Sequence, residues 1–151
     1  MQVFRQRQPL RSSPGTQDFT FAAAPRAVIV RASYAVTDAT DTTHACFCEG
    51  AYDGSAEACV TTRIEDASSP VNSLSASATD VLSMLGPTGG TATYVAQASF
   101  VGNSLRLTVT ATDGRQVLVE VLAFSGADIP AVQLLFPSFN PNDVDTLTLG
   151  A

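Results

Sequence analysis

The sequence predicts an all-β protein, an antiparallel β-sandwich of jelly-roll-like or Ig-like type. Three observations predict it. Apolar and polar residues alternate with a period of two, most clearly where Leu105, Leu107, Val109 and Ala111 are interleaved with Arg106, Thr108 and Thr110. Turn signals such as Asp53-Gly54, Gly102-Asn103 and Asp113-Gly114 separate the runs. No segment keeps a convincing helical period, and short strands at regular spacing imply two packed sheets. A chain of 151 residues suits one domain. At that size a core needs neither metal nor disulfide to hold it.

Each element follows from local chemistry. Residues 1–17 read as an extended basic arm, because Pro9 and Pro14 interrupt any helix and Ser12-Ser13-Pro14-Gly15 reads as a loop. Phe19, Phe21 and Ala23 then alternate with smaller residues, which suits a short strand ended by Pro25. Ala27–Val30 is an apolar, β-branched run that continues to Tyr34, and it predicts a central strand. Thr37–Thr43 is a polar loop. From His44, alternation places His44, Cys46 and Cys48 on one face and Ala45, Phe47 and Glu49 on the other. Gly50–Gly54 carries the next turn, with Ala58–Ile64 as the following strand and Glu65–Asn72 as a loop.

Ser73–Leu85 has leucines at spacings that suit a helix, but its Ser and Thr content favours a strand near Val81–Leu85. Gly86–Gly90 breaks the chain. Thr91–Val101 reads as a strand, turned by Gly102-Asn103. The alternating runs on either side of Asp113-Gly114 predict a β-hairpin. Leu118, Leu122 and Phe124 lie opposite Val117, Val119 and Val121, so that strand is covered on both sides except at Glu120. Val132–Phe136 forms a last strand or an edge. The expected organisation is an arm over 1–17, a β-sandwich domain over 18–136 and a C-terminal tail over 137–151.

Charge divides the chain. Arg5, Arg7 and Arg11 lie in the first seventeen residues, which hold no acid; the rest carries five Arg against fourteen Asp and Glu, for a total of −6. All eight basic residues are Arg, which favours planar pairing with carboxylates. An acidic body lacks the basic footprint of a nucleic-acid binder, and no nucleic-acid partner is expected. Met1–Thr20 lacks the apolar h-region of a secretory signal, and no apolar run approaches the roughly 18 residues of a membrane-spanning helix. No membrane partner is expected.

Candidate chemistry is thin. His44, Cys46, Cys48 and Cys59 invite a zinc site, but structural zinc sites use C-x₂₋₄-C knuckles rather than an H-x-C-x-C ladder. Alternate residues on a strand are about 6.6 Å apart, too far for one ion to gather three of them. The expectation is three buried cysteines with no metal and no cofactor. An odd count argues against a disulfide framework. The single His and the missing G-x-S-x-G elbow leave nucleophilic catalysis unsupported, so no enzyme and no catalytic residue is expected. Asp38, Asp41 and Asp53 lack the spacing of a calcium loop, and Gly86–Gly90 lacks the lysine of a phosphate cradle. Glu65-Asp66 reads as an exposed acidic pair.

Several stretches carry a resemblance. Pro25–Val30, Thr43-His44-Ala45 and Gly50–Gly54, together with Ala98–Val101, the run around Asp113-Gly114 and Leu122–Asp128, resemble a β-sandwich module of virion proteins of tailed bacteriophages and prophages. The resemblance spans roughly Ala24–Asp128. It departs at Leu105–Thr112, where a more aromatic strand is expected. It implies an architectural or adhesive role with no catalytic residues, in a virion (capsid surface or tail) protein made in the host cytoplasm. A compact module with tails suits a capsid decoration (cement) protein that binds the major capsid protein and copies of itself. Arg5, Arg7 and Arg11 would dock on that neighbour. A homo-oligomer is expected, and a trimer would suit a site of threefold symmetry. The alternative is a tail or fibre adhesion module binding host-surface glycans, with Tyr52 and Asp53 as its ligand-binding residues.

Overall fold

A computed structural model describes residues 1–34, 44–65, 73–86 and 91–127. Among these, ten strands and no helix are present. They are β1 (Gln2–Leu10), β2 (Gly15–Thr20), β3 (Ala27–Tyr34), β4 (His44–Tyr52), β5 (Glu57–Glu65), β6 (Ser73–Ser77), β7 (Leu82–Leu85), β8 (Ala92–Val101), β9 (Ser104–Ala111) and β10 (Val117–Ser125). They build a six-stranded sheet of order β1-β10-β3-β4-β5-β6 and a four-stranded sheet of order β2-β9-β8-β7. All the strand pairs are antiparallel. The all-β sandwich is therefore as the sequence predicts.

Alternation sets which face each strand buries. Val117, Val119, Val121 and Ala123 of β10 point inward, as do Val28, Val30 and Ala32 of β3. They meet Leu105, Leu107 and Val109 of β9 and the fully buried ring of Tyr94 on β8. Polar contacts tie the two sheets together. Thr61 Oγ1 donates to the Ser83 carbonyl at 2.7 Å, and the Ala98 amide donates to the Glu57 carboxylate at 2.7 Å. Both bonds run between the two sheets, β5 to β7 and β5 to β8.

Several expectations are corrected. The basic segment is extended, but it is not an arm apart from the domain. β1 pairs with β10 along its whole length, from Gln2 opposite Ser125 to Leu10 opposite Val117. β2 pairs with β9, with Gly15 opposite Val109 and Thr20 opposite Ser104. The physical reason is apolar content that the charge count hides. Leu10 is buried, Phe4 packs against Phe21 with ring centroids 6.1 Å apart, and Phe19 is fully buried. The boundary at residue 18 falls inside β2, so the sandwich domain begins with β1.

The Asp113-Gly114 hairpin does not form. β9 and β10 lie in different sheets, each between two other strands. Their apolar rows face one another across the core instead of lying side by side, which buries both. The connection Thr112–Gln116 crosses between the sheets. Gly114 takes φ 82° there, and the Arg115 amide donates to Asp113 Oδ1 at 3.1 Å.

Gly50 is a strand residue rather than part of a turn. A Cβ at this position would lie 1.9 Å from the Val81 carbonyl oxygen, so only glycine admits the segment entering β7. The turn proper is the four residues between Tyr52 and Glu57, which pair. The short strand expected over Phe19–Ala23 instead ends at Thr20, and Ser73–Ser77 is a strand that the sequence reading did not give, whereas three other expectations stand. β3 is central, Gly102 and Asn103 turn β8 into β9, and Leu82–Leu85 is a strand. Val132–Phe136 and the tail over 137–151 lie outside the described residues.

Candidate functional site

The outward face of the six-stranded sheet holds the predicted basic residues. Alternation turns Arg5 and Arg7 of β1, Glu120 of β10, Arg31 of β3 and Glu49 of β4 away from the core. Register then aligns four of them across adjacent strands. Arg7 lies opposite Glu120, Glu120 opposite Arg31, and Arg31 opposite Glu49. The row reads plus, minus, plus, minus. Arg31 Nε donates to Glu49 Oε2 at 2.6 Å, and Arg5 Nε donates to Glu120 Oε1. The hydrogen bond to Glu49, with attraction to Glu49 and Glu120, holds the Arg31 guanidinium above its usual range.

Exposed ion pairs of this kind each contribute about 0–1 kcal/mol to stability. The surface is also apolar. Phe47, Ile64 and Val3 are 65%, 54% and 52% exposed. Leu118, Leu122, Phe124 and Ile29 are half-buried between them. The charged row crosses this apolar area, with Phe47 and Leu118 on one side of it and Leu122, Ile29 and Val3 on the other, and exposed apolar area of this kind is the mark of an interaction surface.

Arg11 is elsewhere. Its guanidinium donates to the Ser13 carbonyl at 2.6 Å and the Thr16 carbonyl at 3.0 Å, bracing the β1–β2 connection. It also fills the space over Gly15, where a Cβ would come within 2.4 Å of it. The structure thus brings Arg5 and Arg7 together and sets Arg11 apart as a residue of the fold.

Tyr52 and Asp53 lie at the β4–β5 turn. The Asp53 carboxylate accepts from the amides of Ser55 and Ala56, each at 2.8 Å, and from the Ser55 hydroxyl at 2.8 Å. Those amides hold its pKa below the usual carboxylate range. The Tyr52 ring packs on Phe100 with centroids 4.7 Å apart. Both residues serve the turn and the rim of the core.

A second polar cluster sits at the opposite end. Arg115 lies over the Tyr34 ring, 3.6 Å from its centroid. Its Nε donates to Asp113 Oδ2 at 2.9 Å, and Thr93 Oγ1 donates to the same oxygen at 2.7 Å. This network closes the β9–β10 crossover.

Cys46, Cys48 and Cys59 are buried and form no disulfide. A hydrogen bond from Cys59 holds the Cys48 thiol below its usual range, and the same contact with burial raises Cys59. His44 opens β4 opposite Glu65, and its side chain lies outside the described residues, as do Asp38, Asp41 and Asp66. Among the described residues no three His, Cys, Asp or Glu stand together as a metal site.

Sequence reasoning singled out Arg5 and Arg7 on an extended arm and gave neither the sheet face that carries them nor their partners on it. Glu49 and Phe47 could have been found, because alternation already put them opposite the cysteines. That they align with Arg31 and Glu120 depends on strand order. Arg63 was also missed. It is fully buried on the inner face of β5, opposite Cys46.

No protein-family model and no curated protein matches the sequence. Among solved structures, the crystal structure of the Acinetobacter phage vB_ApiP_P1 tailspike protein is similar over 80% of this chain, at 14% identity and a TM-score of 0.35. The match spans 21% of that tailspike chain.

Proposed function

We propose that this chain is a non-enzymatic structural protein of a phage virion, and that it acts as a capsid decoration protein binding neighbouring subunits. The observation that carries the reading is the outer face of the six-stranded sheet. It presents an ordered row of charges within exposed apolar area, the arrangement of a surface that recognises another surface. The resemblance of the strand and turn sequences to virion β-sandwich modules supports the same role. A glycan site at Tyr52 and Asp53 has less support, because that carboxylate is occupied by its own turn and the ring is packed on Phe100.

Particle fractionation tests the proposal. Particles from cells producing the full chain, separated on a density gradient, are expected to carry it at fixed stoichiometry. Imaging is expected to place it on the shell. The double variant Arg5→Glu/Arg7→Glu is expected to stay in the soluble fraction. A wild-type chain that never bands with particles overturns the reading. One found only on the tail overturns decoration.

A further inference from the structure

We infer that the outer face of the six-stranded sheet is a docking surface for a second copy of this chain, stacked face to face about a twofold axis that runs parallel to the strands between β10 and β3. This rests on the reading of that face as a partner surface and names the partner. The order of charges on the face sets this axis. Rotation about that axis lays β10 over the partner's β3 and β1 over the partner's β4, and it keeps each residue's position along its strand. Arg7 then meets Glu49 of the second copy, and Glu120 meets its Arg31, with both contacts repeated by symmetry. The axis pairs all four charges with their opposites.

Neighbouring axes do worse. One along β10 sets Arg7 over Arg31, and one along β3 sets Glu120 over Glu49. An in-plane axis perpendicular to the strands sets each strand over itself, like charge on like charge. The apolar residues agree with the first axis, which places Leu122 over Ile29 and Phe47 over Pro9. Sheets packed about 10 Å apart leave room for Arg and Glu side chains to meet.

Long-range charge agrees as well. The chain carries −6, yet this face holds three Arg and two Glu. Copies repel one another least where the acidic excess is absent. Four strands at about 4.8 Å spacing and about 30 Å of strand length give roughly 600 Å² per copy. That is less than the ~800 Å² of a standard stable interface, so the dimer is reversible and concentration-dependent.

Sedimentation equilibrium of the full chain over a concentration series tests this. Wild type is expected to show a monomer–dimer equilibrium that weakens several-fold between 0.05 M and 0.5 M salt. Phe47→Glu, at an exposed position, is expected to weaken dimerisation at least tenfold without moving the melting temperature. The decisive set is charge exchange. Arg7→Glu and Glu49→Arg each weaken the dimer, and the double variant recovers it. Positions 7 and 49 are three strand spacings apart in one chain, about 14 Å, so recovery reports a contact between chains. A wild-type monomer throughout the series, an unaffected Phe47→Glu, or a double variant no better than the singles overturns the inference. A monomer that still bands with particles overturns the dimer and leaves the virion reading intact. A dimer that never joins particles does the reverse.

Discussion

The Tyr94 hydroxyl donates a 2.6 Å hydrogen bond to the carbonyl of Arg11, joining β8 to the β1–β2 connection across the sandwich. The Tyr94 ring is fully buried, and burial pushes its phenol well above the usual range, so it remains a donor throughout ordinary pH. Tyr94→Phe is expected to cost about 1–2 kcal/mol, the loss of one bond with its acceptor left in place. Urea denaturation measures this directly, and an unchanged midpoint would assign the bond no net effect.

Removal of residues 1–17 is expected to abolish cooperative unfolding rather than to leave a folded body. It strips β10 of its partner along nine positions and takes Leu10 and Phe4 from the core margin. It also takes the first half of β2, which leaves Val109, Thr108 and Leu107 unpaired on that side. Circular dichroism during a thermal ramp distinguishes the outcomes. A truncated chain with a sharp transition near that of the full chain contradicts the integration of β1 into the six-stranded sheet.

Gly50→Ala is expected to destabilise by about 3 kcal/mol, the upper end of overpacking costs. The added methyl meets a backbone carbonyl, at Val81, which cannot rotate away. Gly102→Ala is the contrast: nothing lies within 4 Å of its Cβ position, so any cost comes from its φ of 57°. Equal effects at the two positions would refute the packing argument.

The β9–β10 crossover makes the stability of the fold acid-sensitive. Partial burial opposes ionisation of Asp113, but hydrogen bonds from Arg115 and Thr93 together outweigh it and bring the carboxyl from 3.8 to about 2. A pKa lower in the folded state means stabilisation that is complete above about 4 and lost as pH falls toward 2. With solvent screening at this partly exposed site the contribution is about 1 kcal/mol. Asp113→Asn is expected to reduce stability at pH 7 and to flatten the loss between pH 4 and pH 2. An equally steep acid limb in the variant would place the titration elsewhere.

The fold class was legible because period-two alternation acts within each strand. Leu105, Leu107 and Val109 declare one apolar face whatever they pair with. Alternation likewise put Phe47 and Glu49 opposite the cysteines. The N-terminal segment misled because its charge count concealed Phe4 and Leu10. The Asp113-Gly114 signal misled because a turn sequence states that the chain bends, not which sheet it enters.

The sequence alone therefore determined the all-β class and the inward and outward sets of most strands. Tertiary structure decided that β9 and β10 part into opposite sheets, that β1 is a strand of the domain, and that Arg7, Glu120, Arg31 and Glu49 form one row. The reason is physical. Alternation is set by bond geometry over neighbouring residues, whereas strand order and register are set by burial summed over the whole core, between residues as far apart in the chain as Arg7 and Glu120.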